Sequence, residues 1–308
     1  MKNYCQGSDS AHKYDPTNTM TKVLITGATG NVGIELIKSL QQSDHQLELF
    51  AGVRDVENGK QILANFKITC IHFDFEDVNT YQAALSDCTI LFLVRPPQLA
   101  DVKKYFFPLI ETCKRKGVKH IVFLSVQGVE KSTIIPHHKI EKLITGSKIK
   151  YTFLRPAYFM QNFTTTLRHD LVDKKRIYLP AGNAKFTLVD VRDIGAVAAA
   201  ILKNISPHIN KSCELTCKEK LTFTEMAVML TRGLGTDIQF ISPNLFNFFV
   251  AKRNEKTPVM LILVLIMLHY FPRFKKEPDI TNSIEEILNR PPIAFEQFIR
   301  DYKKLLSG

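Results

Sequence analysis

The stretch KVLITGATGNVGIELIKSL, residues 22–40, decides the fold. Lys22 to Thr26 is a short apolar run, suited to a parallel strand buried on both faces. It opens directly onto Gly27-Ala28-Thr29-Gly30-Asn31-Val32-Gly33. A helix signal follows over Asn31 to Ser43, with Gly33, Leu36, Ile37 and Leu40 on one face. Strand, glycine turn and helix in that order form the first unit of a dinucleotide-binding sheet. Gly27 permits the tight turn, Gly30 lets the backbone approach a diphosphate, and Gly33 lets the helix pack on the strand. The free amides at the helix start, aided by its dipole, hold the anion. The spacing is GxxGxxG, not GxGxxG, and a glycine triplet alone says little; its place between strand and helix gives it weight.

Outward from this unit the alternation continues. LELFAGVR (47–54), ITCIHFDF (68–75), TILFLV (89–94), HIVFLSV (120–126) and YTFLRP (151–156) read as strands. Helix signals lie between them, near Gln61–Phe66, Tyr81–Leu85, Leu99–Cys113 and His137–Thr145. Repeated βαβ crossovers predict an α/β, Rossmann-type doubly wound parallel sheet, with ligands at the carboxyl ends of its strands. After Ile205 the pattern changes to a strand at 213–217, a helix at 223–233 and a tail rich in aromatics. The expected organisation is a flexible extension over 1–20, an NAD(P)-binding domain over 21–205 and a smaller substrate-side lobe over 206–308.

Composition narrows the class. The chain has 308 residues, 45% hydrophobic and 23% charged, which excludes a disordered, collagen-like or disulfide-scaffold protein. A net charge of +11 favours anionic ligands. The cations sit in short separate clusters, at 114–116, 174–176, 273–276 and 303–304, without interleaved aromatics, so nucleic acid is not an expected partner. Six cysteines show neither a CxxC pair nor zinc spacing; no metal is expected. Cys70, Cys88 and Cys113 read as small core hydrophobes. With no secretory leader visible, a cytoplasmic location is the expectation. VMLILVLIML (259–268) is apolar throughout but shorter than the ~18 residues of a spanning helix. It reads as a buried helix or the wall of an apolar pocket, and no membrane partner is expected.

The second strand selects the cofactor. An NAD site places an acid about 20 residues beyond the loop to bind the ribose 2′-hydroxyl. Here the strand ends Gly52-Val53-Arg54, and a guanidinium suits a 2′-phosphate. NADP(H) is therefore expected over NAD(H), although the neighbouring Asp55 leaves Arg54 open to a plain surface role. The third strand ends Phe73-Asp74-Phe75. Asp74 could accept from an adenine amino group with Phe75 beside the ring, or could merely cap a loop.

Together these residues resemble a known family. TGATGNVG (26–33), Val53-Arg54, VRPP (94–97), FLSVQG (123–128), LRPAYFMQN (154–162), LVDVRDIG (188–195) and NRPPIAFEQFIRDY (289–302) are similar to the NmrA-like branch of the short-chain dehydrogenase/reductase superfamily. The resemblance spans nearly the whole chain from residue 21. It implies either an NADP(H)-dependent reductase of quinone-like acceptors or an NADP-binding redox sensor with a protein partner. It also implies that Val94, Arg95 and Pro96 line the cofactor and that Ser125 lies near the nicotinamide. Pro156, Ala157, Tyr158 and Phe159 would close over that end, with Asn162 facing the substrate pocket.

One expected feature is missing. The wider superfamily uses Tyr-x-x-x-Lys for proton transfer, and none of the nine tyrosines has lysine four residues on. A sugar-nucleotide epimerase would depend on that same pair. In its place stand His137 and Glu141, four apart and so on one helical face, a His-x-x-x-Glu pattern the branch often shows. They are candidates for a structural or ribose-contacting pair, or for a catalytic acid at His137. Without a strong acid, reduction of an electron-poor conjugated acceptor is the favoured chemistry. Phe159, Met160, Phe163, Phe246, Phe248 and Phe249 could wall its pocket.

Overall fold

Alternation of buried side chains builds a central parallel sheet. A computed structural model describes residues 20–42 and 44–308. The expected extension over 1–20 lies outside them, save Met20. The chain begins with β1 (Thr21–Thr26), α1 (Asn31–Gln41), β2 (Leu47–Val53), α2 (Val56–Ile62), β3 (Thr69–His72) and α3 (Asn79–Ala84). It continues through β4 (Ile90–Val94), α4 (Val102–Arg115), β5 (His120–Leu124), α5 (Pro136–Gly146) and β6 (Lys150–Pro156). Along β1, Val23 and Ile25 enter one core while Leu24 enters the core on the opposite face. The same split places Ile90 and Phe92 against Leu91 and Leu93 on β4, as a period of two requires. Both faces are dry, which explains the unbroken apolar runs of the sequence.

The remaining elements are β7 (Tyr158–Phe159), α6 (Arg168–Asp173), β8 (Arg176–Tyr178), β9 (Lys185–Val189), α7 (Val191–Lys203), β10 (Lys211–Leu215), β11 (Lys220–Thr222) and α8 (Phe223–Leu234). Then come β12 (Gln239–Ile241), α9 (Leu245–Asn254), α10 (Val259–His269), α11 (Ser283–Leu288), α12 (Phe295–Asp301) and α13 (Lys303–Ser307). The main sheet has seven strands in the order β10-β6-β5-β4-β1-β2-β3, all parallel. This is the expected Rossmann-type topology. A smaller sheet, β11-β9-β7, and the pair β12-β8 belong to a second core.

That second core does not begin at residue 206. It takes in Met160, Phe163, Leu171, Ile177 and Leu188 as well as α8, α9, α10 and α12. Conversely, β10 and Ile284 of α11 join the first core. Strand β10 pairs along the edge of β6, which would otherwise present unpaired amides and carbonyls. The chain thus crosses the division expected at residue 205 in both directions.

The apolar run at 259–268 also differs from expectation. Only the stripe Ile262, Leu265 and His269 is buried, the i, i+3, i+7 positions facing the second core. Met260 is 70% exposed, and Val259, Leu261, Leu263, Met267 and Leu268 face solvent beside it. Among the described residues no helix is long and apolar enough to cross a membrane. Cys88 and Cys113 are buried as small apolar groups, and Cys70 is half-buried.

Two histidines are sealed inside. His120, 3% exposed, lies 2.9 Å from Thr152 Oγ1, and His269, 1% exposed, sits in the second core. Burial pushes each imidazole down to about 4. Each therefore stays neutral in the folded chain but takes up a proton on unfolding below about pH 6.5. Their contribution is complete above that pH and is lost as the solution is acidified towards pH 4. Urea unfolding between pH 6.5 and 5 is expected to show stability falling by about 1 kcal/mol per pH unit for each histidine. A flat profile over that range would be incompatible with neutral buried imidazoles.

Candidate functional site

In a parallel sheet the carboxyl ends of all strands lie along one edge. The strand order reverses between β1 and β4, where a crevice for ligand opens. Thr26 ties the two ends: its hydroxyl accepts from the Val94 amide at 2.8 Å. The chain then turns at Gly27 with φ +63, a left-handed conformation. The tightest approach follows at Gly33, where a Cβ would stand 2.3 Å from the Gly27 carbonyl oxygen and 2.7 Å from Ala28 Cα. Gly30 donates to Gly27 O at 3.0 Å and is the N-cap of α1. No side chain caps this helix, and no acid stands in its first turn. Ala28 and Val32 anchor the loop in the core; Gly30 and Asn31 are exposed and Thr29 partly so. The amides at the start of α1 therefore face the crevice without a side-chain acceptor.

The end of β2 carries a free cation. Arg54 is exposed, and its backbone oxygen lies 2.9 Å from His72 Nδ1. The adjacent Asp55 is committed elsewhere: it caps α2 by accepting from the Asn58 amide at 3.0 Å. Among the described residues no ion pair engages the Arg54 guanidinium. At the end of β3, Asp74 organises its own loop, accepting from the Glu76 amide at 2.9 Å. Phe75, expected beside an adenine ring, packs into the core. It is buried edge-on against Phe73 at 4.9 Å and tilted on Phe106 at 5.4 Å. The apolar demand of the core between α3 and α4 claims it.

Beyond β4, Val94 and Pro96 line the edge, but the Arg95 side chain turns back on its own loop. Its Nη1 donates to the carbonyls of Pro96, Pro97 and Leu99 at 2.9, 2.9 and 3.1 Å. At the end of β5, Ser125 is buried while its hydroxyl has no partner in the protein. His137 and Glu141, which share a face of α5, each bond to a different arginine. His137 stacks on Phe123 and lies 3.5 Å from Arg95 Nε. Burial, with the nearby Arg95 charge, pushes its imidazole down to about 3, so it is neutral at ordinary pH. Glu141 is gripped in a fork by Arg155, Nε to Oε1 at 3.0 Å and Nη2 to Oε2 at 2.7 Å.

The end of β6 leads through Pro156 and Ala157, both buried, to Tyr158 and Phe159 on β7. Tyr158 meets a partner that the sequence did not reveal, His269 of α10. The Tyr158 hydroxyl lies 3.1 Å from His269 Nε2, and Nδ1 of the same ring lies 2.7 Å from Leu265 O. The carbonyl can only accept, so Nδ1 carries the proton and Nε2 accepts from the phenol. Burial pushes the phenol well above its ordinary range. Rings of Phe186, Phe223 and His269 surround it at 5.7, 5.8 and 5.6 Å. Of the expected wall residues, Met160, Phe163 and Phe248 are fully buried in the second core and Phe246 is 75% exposed.

Comparison with known proteins places this arrangement. Residues 19–268 match the model of the NmrA-like family. Prestalk A differentiation protein A of Dictyostelium discoideum is 30% identical over 295 residues, covering 95% of this chain and 96% of that protein. The NAD(P)H azoreductase of Xenophilus azovorans is 25% identical over 282 residues, covering 90% and 96%. The structure of an NADPH-dependent quinone oxidoreductase from Escherichia coli, complexed with NADPH, superposes with a TM-score of 0.81 at 23% identity, over 91% of this chain and 99% of that one. The glycine turn, the reversed strand order and a match that runs through both cores lead to one assignment: the chain belongs to the NmrA-like family.

Proposed function

We propose that the protein is an NADPH-dependent oxidoreductase that passes hydride to a quinone-like or other conjugated small-molecule acceptor. The observation that carries this reading is the pairing of an uncapped α1 N-terminus with the uncommitted Arg54 on the adjacent strand. Main-chain amides over Gly27, Ala28, Thr29, Gly30, Asn31, Val32 and Gly33 suit a diphosphate, and the guanidinium suits a 2′-phosphate. The unpartnered Ser125 hydroxyl is a buried polar atom that a bound dinucleotide would satisfy. NADPH would supply the hydride at this edge. Val94, Pro96, Pro156 and Ala157 would flank it, with Asp74 near the adenine end. Relatives named as an azoreductase and a quinone oxidoreductase support the acceptor class.

The acid groups nearby are weak. His137 is neutral and the Tyr158 phenol is held protonated. Neither suits stabilising the alkoxide of an isolated ketone. A conjugated acceptor spreads the incoming charge over its own π-system and needs only solvent for its proton. Tyr158 and Asn162 then serve to position it.

A second reading is a non-catalytic NADP(H)-binding regulator. The rings packed around Tyr158 favour it, because they fill with protein the space beside the proposed nicotinamide end. NADPH absorbance loss with a panel of quinones separates the two. Turnover above the no-protein rate is expected; tight NADPH binding with no turnover would select the regulator.

Arg54→Ala is expected to weaken NADPH binding about tenfold or more by calorimetry, the loss of a charge-assisted contact, while NADH affinity stays nearly unchanged. Equal loss for both would remove Arg54 from the 2′-phosphate role. Glu141→Gln breaks a largely buried ion pair and is expected to cost about 3 kcal/mol of unfolding free energy. NADPH affinity of the folded variant should be unaltered, which would separate a strut from a ribose ligand.

A further inference from the structure

A helix that is apolar on every side belongs inside a protein, and α10 is not inside. Between Pro258 and His269 it carries no polar side chain. Its inner stripe is packed on the second core, so the outer face is held in solvent by tertiary structure. Met260, Leu263 and Met267 form a row along that face, continued past the helix end by Phe271 and Phe274. A contiguous apolar surface of this kind marks a docking face.

The charges at its rim select the occupant. Arg253 and Lys256 precede the helix; Arg273, Lys275 and Lys276 follow it, and all five are exposed. Arg273 stacks over Tyr270 and Phe274, at 5.1 and 5.8 Å from the ring centroids. The acids beside this rim are already neutralised. Glu255 is bound by Lys174 and Lys252, and Glu277 by Lys185 and Lys220. Asp279 lies 4.0 Å from Lys276, and among the described residues the other four rim cations pair with no acid. The face is thus apolar at its centre and cationic at both ends.

A second copy of the chain would bring a like-charged rim to the same contact. A folded partner protein would have to bring an apolar centre and acids at both ends in one matching shape. An anionic bilayer surface answers both features, with acyl chains for the centre and head-group phosphates for the rim. We infer that the outer face of α10 docks on an anionic lipid surface, lying in the interface without crossing it. The protein body supplies the polar side that a free interfacial helix carries itself. The inference departs from the expectation of no membrane partner, which no observation contradicts, and does not depend on the hydride chemistry.

Sedimentation of the full chain with vesicles tests it. Vesicles of phosphatidylcholine mixed with phosphatidylserine are expected to retain at least about ten times more protein than phosphatidylcholine alone. Raising the salt should release it. Leu263→Glu with Met267→Glu, both at exposed positions, should abolish retention while leaving the thermal midpoint unchanged. Lys275→Glu with Lys276→Glu serves as a second variant and should reduce retention severalfold. No retention on either vesicle, retention that the two kinds of lipid share equally, or retention untouched by both variants would overturn the inference. So would a dimer in sedimentation equilibrium that the Leu263/Met267 variant dissolves, since a second copy would then occupy the face.

Discussion

Among the described glycines, the least room for a side chain is where α1 meets the turn that precedes it. At Gly33 there is no room for a methyl group against the Gly27 carbonyl and the Ala28 backbone. This contact presses the start of α1 onto the end of β1. The first-turn amides then point into the crevice between β1 and β4 rather than into solvent at large. The same placement lets Val32, Leu36 and Leu40 share a core with Val191, Ile194 and Val197 of α7. A side chain at Gly33 would move the helix and the amides together, so sheet packing and anion recognition rest on one steric fact.

Around this constraint, buried polar groups divide into those the protein satisfies and those it leaves. Asp190 caps α7, is forked by Arg192 and accepts from Gln161 at 2.8 Å. Asp193 accepts from the Ile293 amide at 2.7 Å, which fastens the motif at 289–302 to the same helix. Glu141 is closed by Arg155, and Arg95 is closed on its own loop. These groups are spent on structure. At the carboxyl edge of the sheet the pattern inverts: the α1 amides, the Ser125 hydroxyl and the Arg54 guanidinium keep their valences open. Of these groups Ser125 is the buried one, and the cost of its unsatisfied hydroxyl makes that position informative.

The strands of the sheet were legible in the sequence because burial on both faces removes every polar interruption, as in Leu91 to Leu93. The glycine turn was legible because a left-handed φ favours glycine at Gly27 and close backbone contact leaves no room for a side chain at Gly33. What escaped sequence reading depended on distance along the chain. The packing of Phe75 between Phe73 and Phe106 could not be read locally, because Phe106 arrives from α4. His137 and Glu141 share a helical face, but Arg95 and Arg155 arrive from other elements and draw them apart. His269 lies 111 residues beyond Tyr158, and nothing local joins them. Strand β10 completes the sheet from beyond the expected boundary, because an open edge at β6 outweighs chain order.

The two cores meet at β7, and the chemistry of the site follows from that junction. Tyr158 leaves the end of β6 at the ligand edge of the sheet and enters a ring cluster of the second core. Its hydroxyl therefore sits at the boundary between a polar crevice and an apolar interior. His269 fixes it there as a donor to a neutral imidazole, an arrangement poor in mobile protons. No lysine stands beside this phenol to lower it, and burial raises it instead. The absence of lysine from the sequence and the burial of the tyrosine in the fold thus point the same way. Selectivity at this end would come from shape and apolar contact, and the acceptor itself would have to bear the charge that the protein does not neutralise.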